Sequence, residues 1–250
     1  MSIVSTPAIL LRSFPYSETS AILKFYTRTM GVTGVMARGA RRRQSKGHGA
    51  LPTFSEGTLT LYVKGNRDLQ TFKDFAPAVP RGALASDLTR FAGAAVLAEV
   101  VLRHAGEEGN PQLYDRLAGA LQRLACGGDD PVGDVLAETW GIVDALGYRP
   151  ELDGCVSCGR ELGSAEMGRF DFGAGGIRCG DCMLDDVGPR LGVGAREQLA
   201  ALVSGTVPER IRRPRAHVKL LNDFVTYHIS EGRPLQSFAF LIDLVPRGNA

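Results

Sequence analysis

Four of the chain's five cysteines fall into two Cys-x-x-Cys pairs, Cys155-Val-Ser-Cys158 and Cys179-Gly-Asp-Cys182, twenty residues apart. That spacing is a zinc signature. Each pair can close into a tight knuckle that aims both thiolates at one point, with Gly159 and Gly180 expected to relax the backbone. Phe170 to Gly176 reads as a short strand and a flexible turn, enough to carry the second knuckle back to the first. Four thiolates leave no open coordination position, so the expected metal is one structural Zn2+ without a catalytic role. Two disulfides would need an oxidising compartment, and Met1–Pro7 has neither the basic start nor the long apolar run of a signal peptide. A redox Cys-x-x-Cys accounts for one pair and not two. The fifth cysteine, Cys126, reads as a small buried apolar residue.

The charge is divided unevenly. Residues 1–80 carry 11 Lys/Arg against 4 Asp/Glu, a net +7, whereas 81–250 carry 18 against 23, a net −5. Such asymmetry points to parts with different tasks. Apolar content of 44% supports a sizeable core, and no apolar run approaches a membrane span, so the expectation is a cytoplasmic protein with no membrane contact.

In the first part, stretches rich in apolar and β-branched residues recur at 8–14, 21–27, 32–37, 58–63 and 70–75. These predict five strands, and no helix of ordinary length fits before residue 83. Five short strands suit a small OB-type barrel, with an SH3-like barrel as the competing reading. Between the third and fourth strands, Arg38 to Lys46 has five Lys/Arg in nine residues and no acid. Arg38, Arg41, Arg42, Arg43 and Lys46, supported by Arg12, Lys24, Lys64 and Arg67, are the candidate nucleic-acid contacts, since cations among glycines can follow a phosphate backbone. Phe14, Tyr16, Phe25, Tyr26, Tyr62 and Phe72 are candidate stacking residues, although alternation along strands sends about half of such aromatics into the core.

After Pro80-Arg-Gly82 the period changes. Leu84, Leu88, Phe91, Ala95, Ala98, Leu102 and Ala105 form one predicted apolar stripe on a long helix. Asn110-Pro111 and Asp130-Pro131 each place an N-cap before a first-turn proline, opening helices expected to end near Leu124 and Leu146. Trp140 falls on the apolar face of the third. Residues 194–202 and 214–229 predict two further helices that complete a bundle, making the cysteine segment an insertion. Arg210, Arg212, Arg213, Arg215 and Lys219 form a second basic cluster at the start of the last helix, where cations oppose the dipole; this favours contact with a partner or DNA over stability. The expected architecture is α+β and multidomain: 1–80 barrel, 81–150 helical, 151–190 four-cysteine zinc-finger module, 191–250 helical. No metalloprotease, deaminase, P-loop or Gly-x-Ser-x-Gly motif is present, and the reading is non-enzymatic.

Ala8–Thr19, Phe25–Gly31, Arg38–Arg42, and Leu146-Gly-Tyr-Arg-Pro150 leading into the cysteine pairs resemble the bacterial recombination mediator RecO family. The resemblance implies an N-terminal OB-fold, a helical domain and a zinc-finger-like module. It also implies binding of single- and double-stranded DNA, strand annealing, association with RecR and single-stranded-DNA-binding protein, and indirect help in loading RecA. A nucleoid-associated location follows from the same resemblance, as does an apolar pocket with a basic rim, placed at Arg210–Lys219, for the acidic tail of single-stranded-DNA-binding protein. A zinc-ribbon scaffold whose OB-like domain binds RNA or protein in translation or transcription is the rival reading. A metal-dependent nuclease is a more distant one.

Overall fold

A computed structural model describes residues 2–39, 51–65, 67–163, 166–183 and 188–247. The chain groups into two compact units: residues Met1–Asp87 with Val101–Cys126, and Leu88–Val100 with Gly127–Ala250.

In the first unit β1 (Ser2–Pro15), β2 (Ala21–Thr27), β3 (Gly31–Ala37), β4 (Glu56–Val63) and β5 (Leu69–Val79) close into a barrel in the order β1-β2-β3-β5-β4. β1 is long enough to pair with β2 through Ala8–Pro15 and with β4 through Ser2–Ile9, and β3 meets β5 in parallel. Closure leaves no open edge, as in the OB-type architecture. Ala8, Leu10, Leu23, Phe25, Val35, Leu59, Leu61 and Phe75 fill the interior, with Phe25 and Phe75 rings 5.1 Å apart. Between Leu10 and Arg12 the register slips, so Leu10 faces the core beside Phe25 while Arg12 pairs with Lys24 on the outer surface.

A 3-10 turn (Gly82–Ser86) leads from the barrel, and α2 (Pro111–Cys126) packs on it. Asn110 caps α2 by accepting from the Leu113 amide at 3.0 Å. The Arg81 side chain, 2% exposed, donates to the carbonyls of Phe54 (2.9 Å) and Ala118 (3.1 Å) and to Glu56 (2.6 Å). Tyr114 donates to the other Glu56 oxygen at 3.1 Å, so one buried cation ties α2 to the barrel.

The second unit contains α3 (Pro131–Ala145), which packs on α4 (Val193–Val203) and α5 (Pro214–His228), while α5 packs on α6 (Gln236–Leu244). Asp130 caps α3 through the Val132 and Gly133 amides. Trp140 is core, its ring 5.2 Å from Phe224. Strands β6 (Glu151–Cys155), β8 (Gly176–Arg178), β7 (Gly168–Asp171) and β9 (Arg190–Leu191) form a small mixed sheet in that order. Phe170 of β7 meets Phe224 of α5 at 5.9 Å, and Arg196 of α4 donates to the carbonyls of Leu162, Gly163 and Glu166. The cysteine segment is thereby held against the helices.

Several expectations need correction. Helix α1 (Leu88–His104) starts later than the predicted stripe, and Leu88 is 63% and Phe91 37% exposed. Of the predicted stripe Leu84 and Ala98 are buried, and the other buried aliphatic residues of α1 are Ala92, Ala94, Val96, Leu97, Val100 and Val101. The helix carries apolar residues over most of its circumference, and its larger aliphatic sector is the one that packs. Cys126 is exposed, not core.

Candidate metal centre and nucleic-acid interface

The Sγ atoms of Cys155, Cys158, Cys179 and Cys182 all lie within 4.8 Å of one another. A tetrahedron with metal–sulfur bonds of ~2.3 Å has S–S edges of about 3.8 Å. The 3.9 Å between Cys158 and Cys179 matches such an edge and is far too long for a disulfide. The donor set therefore fits a structural metal that prefers thiolate. Each knuckle closes on itself: the Gly159 amide donates to the Cys155 carbonyl at 2.8 Å, and the Cys182 amide to that of Cys179 at 3.1 Å. Gly159 takes φ +72°, as its expected role requires. Gly180 does not adopt positive φ and simply opens a 3-10 turn, while Gly175, at φ +73°, makes the turn between β7 and β8.

The sulfurs differ in environment. Burial pushes the Cys155 thiol up, but amide donors from Cys179, Cys158 and Ser157 outweigh it and bring the pKa to about 6. For Cys179 burial also opposes ionisation, and a hydrogen bond from the exposed Arg160 leads the effects that lower it. Cys182 is pushed up to about 12 by its hydrogen bonds with the Cys158 and Cys179 sulfurs and by burial. A cluster that already stabilises some thiolates loses the remaining protons when a cation binds. Arg160 is itself held by Glu166 at 2.6 Å and lies 3.6 Å from Asp181. Neither Arg160 nor Arg196 stood out in the sequence; an arginine directly after the first knuckle's glycine was the available signal for Arg160.

The predicted cations of the barrel separate into groups. Arg12 pairs with Lys24, and Lys24 with Gly34, so the two side chains share the outer face of the β1-β2-β3 sheet. Gly34 leaves the space that the Lys24 ammonium occupies. Arg38 is exposed just beyond β3. Lys64 and Arg67 are exposed in the β4–β5 connection, whose backbone is tied by Gln70 through Lys64 and the Arg67 carbonyl. Arg41, Arg42, Arg43 and Lys46 lie outside the described residues.

In the second unit, Arg212, Arg213 and Lys219 line a cleft of about 720 Å³ with Arg190, His217 and Asp223, over an apolar floor of Phe172, Leu191, Val193 and Leu220. Burial holds the His217 pKa below its ordinary value, so the imidazole there is neutral near pH 7. Arg215 is placed differently, donating to the Ile242 and Val245 carbonyls at the end of α6. Arg210 is exposed outside the cleft.

The described residues thus bring together a closed five-stranded barrel bearing surface cations, a set of helices and a four-thiolate cluster. The family model described as "Recombination protein O N terminal" matches residues 1–79, and "Recombination protein O C terminal" matches 85–236. The chain is 29% identical over 257 residues to the DNA repair protein RecO of Anaeromyxobacter dehalogenans (strain 2CP-C), covering 98% of each chain. It is 30% identical over 260 residues to that of Desulfatibacillum aliphaticivorans, covering 96% of this chain and 97% of the relative. The chain belongs to the RecO family. No helix of the described residues is long and apolar enough to cross a membrane.

Proposed function

We propose that this chain mediates recombinational repair by binding single- and double-stranded DNA without sequence preference and annealing complementary strands. With RecR it helps load RecA onto DNA coated by single-stranded-DNA-binding protein. The observation that carries the reading is the convergence of Arg12 and Lys24 on one outer face of the barrel, with Arg38 exposed beyond its third strand, in a chain of this family. Cations on a closed sheet attract two phosphate backbones and screen their mutual repulsion, which is the main electrostatic obstacle to pairing. No bond is broken in that process, and the protein acts as a mediator and not as an enzyme. The four cysteines hold one Zn2+, which fixes the small sheet of the second unit.

The cleft beneath Arg212, Arg213 and Lys219 supports a second assignment. Its apolar floor and cationic rim suit the acidic, apolar-ended tail of single-stranded-DNA-binding protein.

The test is an annealing assay with complementary oligonucleotides, bare or coated by single-stranded-DNA-binding protein, with and without RecR. Faster annealing that falls in an Arg12→Ala/Lys24→Ala/Arg38→Ala variant is expected. No acceleration under any of these conditions overturns the reading and leaves the RNA- or protein-binding scaffold as its successor. A tail-peptide titration showing equal binding by wild type and Arg212→Ala/Lys219→Ala removes the cleft assignment.

A further inference from the structure

The register of the barrel places a row of apolar side chains outside the core. Phe14 pairs with Ile22, and Ile22 with Met36, so the three share the outer face of adjacent strands. Phe14 is 36% exposed, and Ile22 and Met36 are half-buried. Two residues further along the chain, in the turn from β1 to β2, Tyr16 is 64% exposed. The other candidate stacking residues are less available: Phe25 and Tyr26 are fully buried, and Phe72 and Tyr62 are half-buried, with Lys73 near the Tyr62 ring.

The apolar row runs parallel to a cationic one. Arg12 and Lys24 occupy the next outward positions, two residues along each strand and so about 7 Å away. The Arg12 guanidinium lies 4.7 Å from the centre of the Phe14 ring. A guanidinium over the ring is backed by it, offers its own flat outer face to a base, and leaves edge N–H groups able to meet an oxyanion. Arg38 extends the positive charge beyond β3, Glu18 stands in the turn after Tyr16, and the Asp68 backbone carbonyl approaches Gly34.

We propose that Phe14, with Arg12 laid over it and Ile22 and Met36 extending the row, is a stacking platform for unpaired nucleobases, while Arg12 and Lys24 hold the adjoining phosphates. An acidic peptide with an apolar end would satisfy one cation and one apolar side chain, whereas a nucleotide strand repeats a flat base and an anion at every step and so matches a row of each. Bases inside a duplex are already stacked and cannot lie on the Arg12–Phe14 pair. The platform therefore favours strands before they pair, and pairing withdraws the bases from it. Strand exchange from protein to complement is built into this face, and the annealed product is released to contacts with phosphate alone.

This rests on the DNA-binding reading above, and the experiment separates the two. The full-length protein is titrated at fixed salt with an oligothymidylate and with an abasic strand of equal length, which keeps the phosphates and removes the bases. Stacking of one base corresponds to roughly a 5- to 150-fold preference. Wild type is expected to prefer the thymidylate by at least the lower figure. Phe14→Ala and Phe14→Leu should lose that preference while keeping their affinity for the abasic strand and the salt dependence of binding. Phe14→Trp should retain the preference, with indole fluorescence quenched by the thymidylate and not by the abasic strand. The side chain is outside the core, so unchanged thermal melting is expected for all three variants. Equal binding of both strands by wild type, or a preference that survives in Phe14→Ala and Phe14→Leu, overturns the platform alone. Binding of neither strand by wild type overturns the DNA-binding reading and the platform with it.

Discussion

Replacing Arg12, Lys24 and Arg38 together by Ala removes three cations from the barrel surface while leaving the core of Leu10, Leu23, Phe25 and Val35 untouched. Each phosphate neutralised on a single strand contributes about −0.7 to the slope of log affinity against log salt, because condensed counterions are released on contact. Three contacts give a flattening of about 2 units. Over a fourfold rise in salt, from about 50 to 200 mM, wild type should thus lose about 20-fold more affinity than the variant. The losses should be equal for oligonucleotides of unrelated sequence, since phosphate contacts carry no base information. The assay is fluorescence anisotropy with several labelled single strands across a salt series, accompanied by thermal melting to confirm an intact fold. Replacing Arg41, Arg42, Arg43 and Lys46 in the same way should flatten the slope by two to three units if most of them touch phosphate. An unchanged slope in the barrel variant would refute the reasoning, reducing those three cations to a solubilising surface and moving the search to Lys64, Arg67 and the Arg212–Lys219 cleft.

Elemental analysis of freshly purified protein should find one zinc per chain, and none would remove the metal assignment. Cys155→Ser/Cys158→Ser should raise amide exchange across residues 151–190 while DNA affinity of the barrel is kept; loss of both together would mean that the two are coupled. Arg81→Ala leaves Glu56 and two carbonyls without their buried donor, which should cost about 2–4 kcal/mol in chemical denaturation, and a loss below about 1 kcal/mol would contradict the role given to that network. Burial raises the Asp171 pKa, but amides and Arg178 outweigh it and hold it below the ordinary carboxylate value. Its stabilising contribution is therefore present above the unfolded pKa of about 3.9 and is lost as pH falls through the lower folded value, so Asp171→Asn should weaken the protein at pH 7 and flatten the acid limb of a stability–pH curve. An unaltered acid limb would show that the carboxylate is not linked to folding.

Features encoded over a few residues are legible in the sequence. The twenty-residue gap between cysteine pairs specified the four-thiolate cluster, Asn110-Pro111 and Asp130-Pro131 marked the starts of α2 and α3, and the five apolar stretches located the barrel strands to within a few residues at most of their ends. Each depends on local chemistry: ligand spacing, capping of free amides, or alternation along one strand. Strand lengths were less clear, because β1 extends back to Ser2 through its pairing with β4, a partner about fifty residues away. The same holds for β6 and β9, which are short and gain strand geometry only from their neighbours, and for α6, whose nine residues gave too brief a pattern to stand out.

Local sequence settled which residue types could form knuckles, caps and strands, and composition gathered the positive charge in the first eighty residues. Tertiary structure alone decided which members of each set work together. A one-residue slip after Leu10 turned Arg12 and Phe14 onto the outer face beside Lys24 and Ile22, and side-chain alternation with period two makes every later residue's orientation depend on that slip. In α1 the periodic pattern allowed two apolar sectors, and packing chose Val96, Leu97, Val100 and Val101 over Leu88 and Phe91. Among the arginines at the start of α5, the carbonyls at the end of α6 drew Arg215 inward and left Arg212 and Arg213 at the cleft. Local propensity is carried by neighbours in the chain, whereas facing, pairing and burial are set by contacts between residues far apart in sequence, and those come into being only when the chain folds.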